Sequence, residues 1–490
     1  MEELERTPIG LTSAWWARSG DSPVEAMLAP EVPTRADVVV VGAGLTGLST
    51  AVRVAQLGME PLVIEARRVG SGTTGRTTAK VSLLQGATLQ RIRSQAGEEA
   101  STAYVMANRE GQEWLLDLAR SRGVDVQTRP AVTYAVSAAG AKQVRAELVA
   151  STAAGLGAYG LTDHDLPFEV EAAIGLEDQA QLDPLALVRA LREELEALGG
   201  RVVETEAGPV RCDRVVLATQ TPILDRTLDF ARVQGQRSYL LAFEADVAQV
   251  PGSMSLSLDE PTRSLRTAPA AGADEEDLLL VGGNGHVVGK RMSTREQVDD
   301  LHHWAREHLP VGRLRWAWSA QDYRAAGSLP RVGAVPGTDE GLFVATGFNK
   351  WGMTNAPAAA LIIGGSMAGT PPVYSAVFRG NTSSPRGVLE AVAHNSRVGV
   401  RLAGDRARLA LPGDLGEGAG RVEGGPLTPS AVSDVDGRRC EVSAVCSHLG
   451  GILAWNDAEQ SWDCPLHASR FTASGEVIEG PATRPLGRRD

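Results

Sequence analysis

Two short stretches late in the 490-residue chain combine cysteine with histidine. Cys446 and His448 form a C-x-H pattern, and Cys464 and His467 form a C-x2-H pattern. Two thiolates and two imidazoles can ligate a [2Fe–2S] cluster in which histidines replace cysteines on one iron. The same four side chains could hold one zinc ion in a Cys2His2 site. Both interpretations predict metal chemistry in this region.

The flanking residues favour the cluster over zinc. A C-x-H pattern is poor spacing for a zinc finger, while glycines after the first pair and a proline within the second suit tight loops. The sequences CSHLGG and CPLHASRF resemble the two ligand loops of Rieske domains. The resemblance implies that Cys446 and Cys464 bind one iron and that His448 and His467 bind the other.

Four residues of these loops bear on the redox potential. Gly451 and Leu466 occupy the positions where respiratory Rieske domains have disulfide-forming cysteines, so the resemblance implies no bridge here. Ser469 stands where the family can hydrogen-bond a sulfide, but Phe471 replaces a tyrosine that would hydrogen-bond a thiolate. We therefore expect a potential in the lower half of the Rieske span of about −150 to +300 mV.

A second motif lies near the start of the chain. Residues 37–41 (DVVVV) are typical of a buried parallel strand, and they lead into the glycine-rich turn 42–47 (GAGLTG) and a helical pattern. A second strand, 61–64, ends at Glu65, about twenty residues beyond the glycines. Strand, glycines, helix, strand and acid in this order predict a dinucleotide-binding unit.

Each motif residue has a predicted task. Gly42 permits the tight turn, Gly44 lets a pyrophosphate approach the backbone, and Gly47 lets the helix pack on the strand. The helix that follows has its N-terminal end near Leu45 and Thr46, and this end points at the phosphates. Glu65 can accept the hydrogen bond of a ribose hydroxyl.

Three further segments resemble the D-amino-acid-oxidase superfamily of flavoproteins, in its glycine and sarcosine oxidase branch. They are residues 70–80 (GSGTTGRTTAK), 215–219 (VVLAT) and 342–355 (LFVATGFNKWGMTN), the last ahead of a small-residue helix expected over 356–369. The resemblance implies FAD as the cofactor. Besides the turn and Glu65, it implies FAD contacts from Ala66, Gly72, Thr73, Thr74, Thr77, Thr78, Ala79, Ala218, Thr219, Gly347, Phe348, Gly352, Met353 and Thr354.

The expected fold class is an α/β FAD-binding domain of the Rossmann-like, glutathione-reductase type, with an antiparallel β-sheet substrate domain. Segments 131–135, 237–244 and 277–283 are the candidate strands of that sheet. A small all-β Rieske domain follows. We expect the oxidoreductase part over residues 1–372, a linker with a connecting segment over 373–412, and the Rieske domain over 413–490.

Four side chains are candidates for catalysis. Of 48 basic residues only four are lysines, and two of these, Lys80 and Lys350, lie inside the motifs placed nearest the flavin. There an ammonium could stabilise reduced flavin or orient a carboxylate. Tyr239 and Tyr323 could point at the flavin, but each could equally be a tyrosine packed in a β core with its hydroxyl bonded.

Composition limits the partners. A net charge of −12 argues against nucleic acid and anionic membranes, and no stretch approaches the ~20 apolar residues of a membrane helix. The acidic N-terminal decapeptide has no apolar core, so it does not predict a secretory signal, and a cytoplasmic location is expected. The expected partners are a small amine-type substrate and a protein that accepts or donates single electrons.

The resemblances together imply oxidation of a small amine or amino acid. Hydride would pass from the carbon beside nitrogen to flavin N5, the imine would hydrolyse, and the electrons would leave singly through the cluster. Two alternatives stay open. One is an oxidase that uses dioxygen and keeps the cluster for structure, and the other is a reductive flavoenzyme fed by an external donor through the Rieske centre.

Overall fold

The computed structural model describes residues 9–10, 12–21, 32–204, 209–224, 229–270, 276–289, 293–379, 414–425 and 427–489. The helices of these residues are α1 (Ala14–Ser19), α2 (Leu45–Gln56), α3 (Thr88–Ala96), α4 (Glu98–Ser121), α5 (Ala138–Ala153), α6 (Pro184–Ala197), α7 (Thr294–His308) and α8 (Gly352–Met367). None of these described helices combines the length and apolarity needed to cross a bilayer.

The strands follow the chain in this order: β1 (Ile9–Gly10), β2 (Arg35–Val41), β3 (Pro61–Glu65), β4 (Lys80–Val81), β5 (Gln127–Ala135), β6 (Tyr159–Gly160), β7 (Ala172–Gln181), β8 (Arg201–Glu204), β9 (Arg211–Leu217), β10 (Val233–Glu244), β11 (Met254–Ser257), β12 (Arg263–Ala268), β13 (Leu278–Val287), β14 (Leu314–Ala325), β15 (Arg331–Ala334), β16 (Leu342–Thr346), β17 (Gly420–Glu423), β18 (Ser430–Val435), β19 (Arg438–Ser443), β20 (Ala454–Asn456), β21 (Ser461–Asp463), β22 (Arg470–Thr472) and β23 (Val477–Glu479).

A six-stranded sheet forms the centre of the dinucleotide-binding unit. Its order is β15-β16-β9-β2-β3-β8, and every pairing is parallel except that of the edge strand β15 with β16. The valines of β2 are largely buried because the sheet is covered on its faces, with α2 packed against α6 and α8. The carboxyl ends of β2, β3, β9 and β16 therefore meet at one edge.

A ten-stranded sheet forms the second layer, in the order β1-β14-β10-β13-β12-β11-β5-β7-β4 with β6 attached to β7. The predicted segments 131–135, 237–244 and 277–283 fall within β5, β10 and, apart from its first residue, β13. Most pairings are antiparallel, as expected, but β1 joins β14 and β11 joins β5 in parallel. Helix α7 packs on β10 and β13, and its Val298 and Leu301 enter an apolar core with Phe243.

The C-terminal part is all β, with an antiparallel three-stranded sheet β17-β18-β19 and an antiparallel four-stranded sheet β20-β21-β22-β23. Trp462 and Phe471 fill a small core that also contains Cys446 and Cys464. The predicted fold class is confirmed. Of the predicted linker, Val373–Phe378 forms 3-10 turns, and residues 380–413 lie outside the described residues.

Candidate functional site

In the glycine-rich turn after β2, other atoms of the chain lie so close to the backbone that a side chain would collide with them. Gly42 has a φ of +102°, and a Cβ there would lie 2.7 Å from the carbonyl oxygen of Ala218. A Cβ on Gly47 would lie 1.8 Å from the carbonyl oxygen of Gly42. Glycine at position 47 therefore allows α2 to pack closely against the turn that follows β2. At Gly44 a Cβ would come within 3.1 Å of Thr74 Oγ1. These positions admit a ligand close to the backbone.

Glu65, the last residue of β3, holds the same turn. Its carboxylate accepts hydrogen bonds from the backbone N–H of Ala43 (2.8 Å) and of Arg67 (3.0 Å). On the opposite side, Thr74 Oγ1 accepts the N–H of Leu45, the first residue of α2, at 3.0 Å. The turn, the end of β3 and the threonine-rich loop (residues 70–80) are therefore fixed relative to one another.

These elements enclose a cavity of about 500 Å³ at the carboxyl ends of the parallel strands, where such sheets bind ligands. The N-termini of α2 and α8 open into it, and their partial positive charge suits a pyrophosphate and an anionic flavin. The cavity therefore fits FAD. Among the predicted FAD contacts, those that line it are Gly42, Gly44, Leu45, Thr46, Glu65, Ala66, Gly72, Thr73, Thr74, Thr77, Ala218, Thr219, Gly347, Phe348, Gly352 and Met353.

Four other residues predicted to contact FAD are not part of this lining. Gly47 lies behind the turn, and the carbonyl of Thr78 accepts a hydrogen bond from a buried arginine. Ala79 is fully buried, and Thr354 Oγ1 accepts from the side-chain amide of Gln85 at 2.9 Å. They support the wall of the cavity from behind, and their direct contact with FAD stays a prediction.

The lining also contains residues that were not individually expected to contact FAD, some of them within the predicted motif segments. Within the flavin domain these are Val41, Ile64, Arg67, Ser71, Gln220, Ile223, Asp322, Ala345, Thr346 and Ala356, most of them neighbours of the motifs. From the Rieske domain they are Glu476, Val477, Glu479, Gly480, Ala482, Thr483 and Pro485. Adjacency to the motifs could have indicated most of the first group, whereas no sequence signal places the second group at the cavity.

Lys350 and Asp322 meet at the cavity wall. The Asp322 carboxylate accepts the backbone N–H of Lys350 and that of Tyr323, the latter at 2.7 Å. Burial raises the pKa of Asp322 to about 6. The ammonium of Lys350 donates to Ser238 Oγ on β10 at 2.6 Å. Lys350 thus connects the cavity with the ten-stranded sheet.

Lys80 and Tyr239 do not belong to the lining. The buried ammonium of Lys80 donates to a carbonyl and a hydroxyl of the ten-stranded sheet at 2.7 and 2.8 Å, and desolvation puts its pKa well below the ordinary value. Tyr239 is fully buried, with its hydroxyl 3.0 Å from Nε2 of His286. Burial raises the pKa of Tyr239 above its ordinary value. Both side chains have structural partners, and their catalytic roles stay predictions.

The two cysteine–histidine loops face each other in the Rieske domain. The thiols of Cys446 and Cys464 are hydrogen-bonded to each other, and both are buried. The rings of His448 and His467 lie 5.2 Å apart between centroids, at an angle of 82°. A Cβ on Gly451 would lie 2.9 Å from the Cys464 sulfur, so the loops close on each other. Cysteine is paired with cysteine and histidine with histidine, as the Rieske ligand set requires.

The sulfur atoms accept several hydrogen bonds. Cys446 accepts from the thiol of Cys464, from the hydroxyl of Ser469 and from the backbone N–H groups two and three residues further on, and its pKa falls to about 7. Cys464, which donates to Cys446, has a raised pKa. The four ligand side chains thus form two separate pairs, one of sulfur and one of nitrogen donors. This donor set fits the two-iron centre.

The Rieske domain is docked on the flavin domain through a buried ion network. Arg237 on β10 pairs with Asp463 at 2.5 Å and with Glu459 at 3.4 Å. Arg470 pairs with Glu459 at 2.8 Å, with Asp463 at 3.3 Å and with Glu479 at 3.6 Å. Burial alone would raise the pKa of Glu459, but Arg470 and Arg237 outweigh it and hold that pKa at about 2. Two guanidinium groups thus face three carboxylates in this network, and the pairs that Arg237 makes with Asp463 and Glu459 cross the interface.

Strand β14 makes neutral contacts at the same interface. The side-chain amide of Gln321 donates to the carbonyl of Ala468 at 2.8 Å. The hydroxyl of Tyr323 lies 3.2 Å from the carbonyl oxygens of both His467 and Gly480, which share its one proton. Tyr323 is 2% exposed, and burial raises its pKa above the ordinary value. A candidate for catalysis therefore contacts a predicted cluster ligand.

Comparisons with known proteins match both parts. The profile of the FAD dependent oxidoreductase family matches residues 37–364, and that of the Rieske [2Fe-2S] domain matches residues 417–488. The putative Rieske 2Fe-2S iron-sulfur protein YhfW of Bacillus subtilis (strain 168) is 28% identical, with 97% of each chain covered. Both predicted resemblances, and with them FAD and a [2Fe–2S] cluster as cofactors, are confirmed.

Solved structures share the fold of the N-terminal part. L-proline dehydrogenase from P. horikoshii and glycine oxidase from Geobacillus kaustophilus both superpose with a TM-score of 0.58 at 17% identity. The first match covers 70% of this chain and the second 69%, in each case against 96% of the other chain. L-amino acid deaminase from Proteus vulgaris has a TM-score of 0.56 at 16% identity, over 73% of this chain and 99% of its own.

Proposed function

This chain belongs to the FAD-dependent oxidoreductase family and carries a Rieske [2Fe–2S] domain, and on that premise we propose that it oxidises a small amine or amino acid. The C–N bond of the substrate would be oxidised to an imine, which water hydrolyses. The electrons would then leave one at a time through the Rieske domain to an external one-electron acceptor.

One observation supports the proposed route of the electrons. The cavity that fits FAD is walled on one side by residues 476–485 of the Rieske domain, and the cluster loop at His467 contacts β14 beside that cavity. A Rieske domain with no part in electron transfer would not need to form a wall of the flavin site. The substrate class draws support from the solved structures with this fold, whose names specify L-proline, glycine and L-amino acids as substrates of those proteins.

Bound FAD would supply the acceptor for a hydride and its two electrons, and the cluster would carry one electron at a time. The chain's own residues prepare the site. The N-termini of α2 and α8, whose first residues line the cavity, stabilise negative charge there. The ammonium of Lys350 adds a positive charge. Asp322, whose pKa is about 6, is mostly ionised at neutral pH and attracts a cationic amine to the wall.

An anaerobic screen of amines and amino acids against the purified holoprotein tests this function. A true substrate should bleach the flavin absorbance, and the EPR signal of the reduced cluster should follow. Flavin bleaching that dioxygen reverses, with no cluster signal, would favour the oxidase alternative. If no amine bleaches the flavin but an external reduced donor reduces first the cluster and then the flavin, the enzyme works in the reductive direction.

A further inference from the structure

Three consecutive residues of β14 join the flavin cavity to the cluster loop. The backbone carbonyl of Gln321 accepts the hydroxyl of Thr73 in the threonine-rich loop. The next residue, Asp322, lines the cavity. The third, Tyr323, donates its hydroxyl to the backbone carbonyl of His467 at 3.2 Å. One strand segment therefore contacts both sites.

We propose that Tyr323 is a positioning residue that holds the cluster loop against the flavin cavity, so that electrons cross with the Rieske domain docked in place. The inference rests on the proposed function, because it concerns the electrons that substrate oxidation delivers. In each crossing the reduced flavin loses one electron and the cluster gains one. An external one-electron acceptor reoxidises the cluster. A second crossing then removes the second electron from the flavin.

The fit around Tyr323 supports a fixed position. Where the cluster loop meets the sheet, a Cβ on Gly235 would lie 2.3 Å from the Cβ of Ala468. A Cβ on Gly289 would lie 2.3 Å from the Cα of Pro465, within the second ligand loop. The backbone of the flavin domain is thus in direct contact with the loop at two positions, Gly235 and Gly289. Such packing leaves one docked arrangement rather than a range of loose ones.

The buried ion network also fixes the docked position of the Rieske domain. Arg237 comes from the flavin domain, and its carboxylate partners Asp463 and Glu459 come from the Rieske domain. A shifted domain would leave the buried guanidinium of Arg237 without these carboxylates, which costs more than the pairs contribute when intact. The network thus specifies where the Rieske domain sits.

The experiment starts from photoreduced flavin, so that it does not depend on the substrate. The flavin of the full-length holoprotein is photoreduced anaerobically, and reduced cluster is followed by EPR on rapidly frozen samples. Tyr323→Phe should slow its appearance several-fold, because the cluster loop loses the hydrogen bond that sets its position against β14. Tyr323→Leu, which also removes the ring, should slow it further.

Tyr374→Phe is the matched control, because it removes one hydroxyl that donates to Glu110 at 2.6 Å, outside both sites. Its crossing rate should equal that of the unaltered protein. The iron-to-FAD ratio and the midpoint potential of the cluster are measured in each variant and should not change in Tyr323→Phe. An unchanged crossing rate in both Tyr323 variants would overturn the positioning role.

A second measurement needs no variant. If the domain stays docked, the crossing rate in the unaltered protein should not change when glycerol raises the solvent viscosity. A rate that falls in proportion to viscosity would show a domain that must swing, and would overturn the inference while leaving the electron route intact. If photoreduced flavin never reduces the cluster, the route under the proposed function is itself wrong.

Discussion

Arg237 and Asp463 form a buried ion pair of 2.5 Å between β10 of the flavin domain and the end of β21 in the Rieske domain. The two residues are 226 positions apart in the chain. Removal of Arg237 leaves Asp463, Glu459 and Glu479 with the guanidinium of Arg470 as their shared partner among the described ion pairs, and this excess of buried negative charge is strongly destabilising. The pair therefore couples the stability of the two domains.

Arg237→Met should lower the free energy of unfolding by about 3–5 kcal/mol, because it leaves Asp463 and Glu459 to share Arg470 with Glu479 in the buried network. Arg313→Met is the control, since Arg313 pairs with Glu244 at 2.8 Å at the surface, where such a pair contributes about 1 kcal/mol or less. Denaturant unfolding of both variants makes the comparison. Equal effects would mean that the interface network has no special weight.

The purified protein should be brown and contain two irons and two acid-labile sulfides per chain, with one FAD. The FAD should be released by heat or acid, because the described lining of the cavity contains no cysteine to bind it covalently. Metal analysis, sulfide assay and flavin fluorescence give these numbers. Stoichiometric zinc in place of iron would contradict the ligand assignment.

Glu65→Ala should weaken FAD binding by roughly 1.5–3 kcal/mol, the range for a hydrogen bond to a charged group. Its carboxylate also anchors the N–H of Ala43, so the turn itself should loosen. Titration of the apoprotein with FAD measures the loss, and the iron content should not change. Glu60→Ala, at an exposed position just before β3, should bind FAD normally.

Asp322 should make stability depend on pH. Its carboxyl has an ordinary pKa of 3.8 and a pKa of about 6 in the fold. Between these values the folded protein binds the additional proton, so this group's contribution to stability falls as pH rises from about 4 to 6. Asp322→Asn should remove that part of the slope in urea unfolding measured across the window. Asp117→Asn, on the exposed side of α4, should keep it.

Ser469→Ala should lower the midpoint potential of the cluster. The Ser469 hydroxyl donates to the sulfur of Cys446, and fewer hydrogen bonds to sulfur stabilise the reduced cluster less. The backbone N–H of Ala482 holds that hydroxyl in place at 3.0 Å. Potentiometric titration followed by EPR measures the shift. Ser474→Ala, in the turn before β23, serves as the control, and an equal shift there would contradict the assignment.

The local motifs were predictable because their chemistry depends on residues close in sequence. The turn 42–47 needs glycine wherever another backbone comes within about 3 Å, and that requirement is visible in the spacing of Gly42 and Gly47. The cysteine and histidine pairs are likewise local. The helix expected from residue 356 begins instead at Gly352, because the motif residues themselves form its first turn.

The docking of the two domains was not predictable. Residues 381–385 (NTSSP) have the composition of a linker, which suggests separable domains. The contact depends on the side chains of Gln321 and Tyr323, which meet backbone carbonyls 147 and 144 residues later in the chain. Every residue has a backbone carbonyl, so a sequence carries no sign of which ones a distant side chain will meet.

Asp322 was missed for a related reason. It lines the cavity although it belongs to none of the motifs that the sequence placed around FAD. Its position follows from the path of β14, whose pairing with β10 sets where each residue of the strand lies. Long-range pairing of this kind depends on the whole sheet, and no single segment specifies it.

The wall that residues 476–485 contribute to the flavin cavity has a consequence for how the protein matures. A chain is synthesised from its N-terminus, so this segment leaves the ribosome after the whole flavin domain. The cavity has all its walls only when the Rieske domain has been made and has docked. FAD that binds before that stage binds to a cavity that lacks this wall, so the docking of the Rieske domain is the step that completes the flavin site.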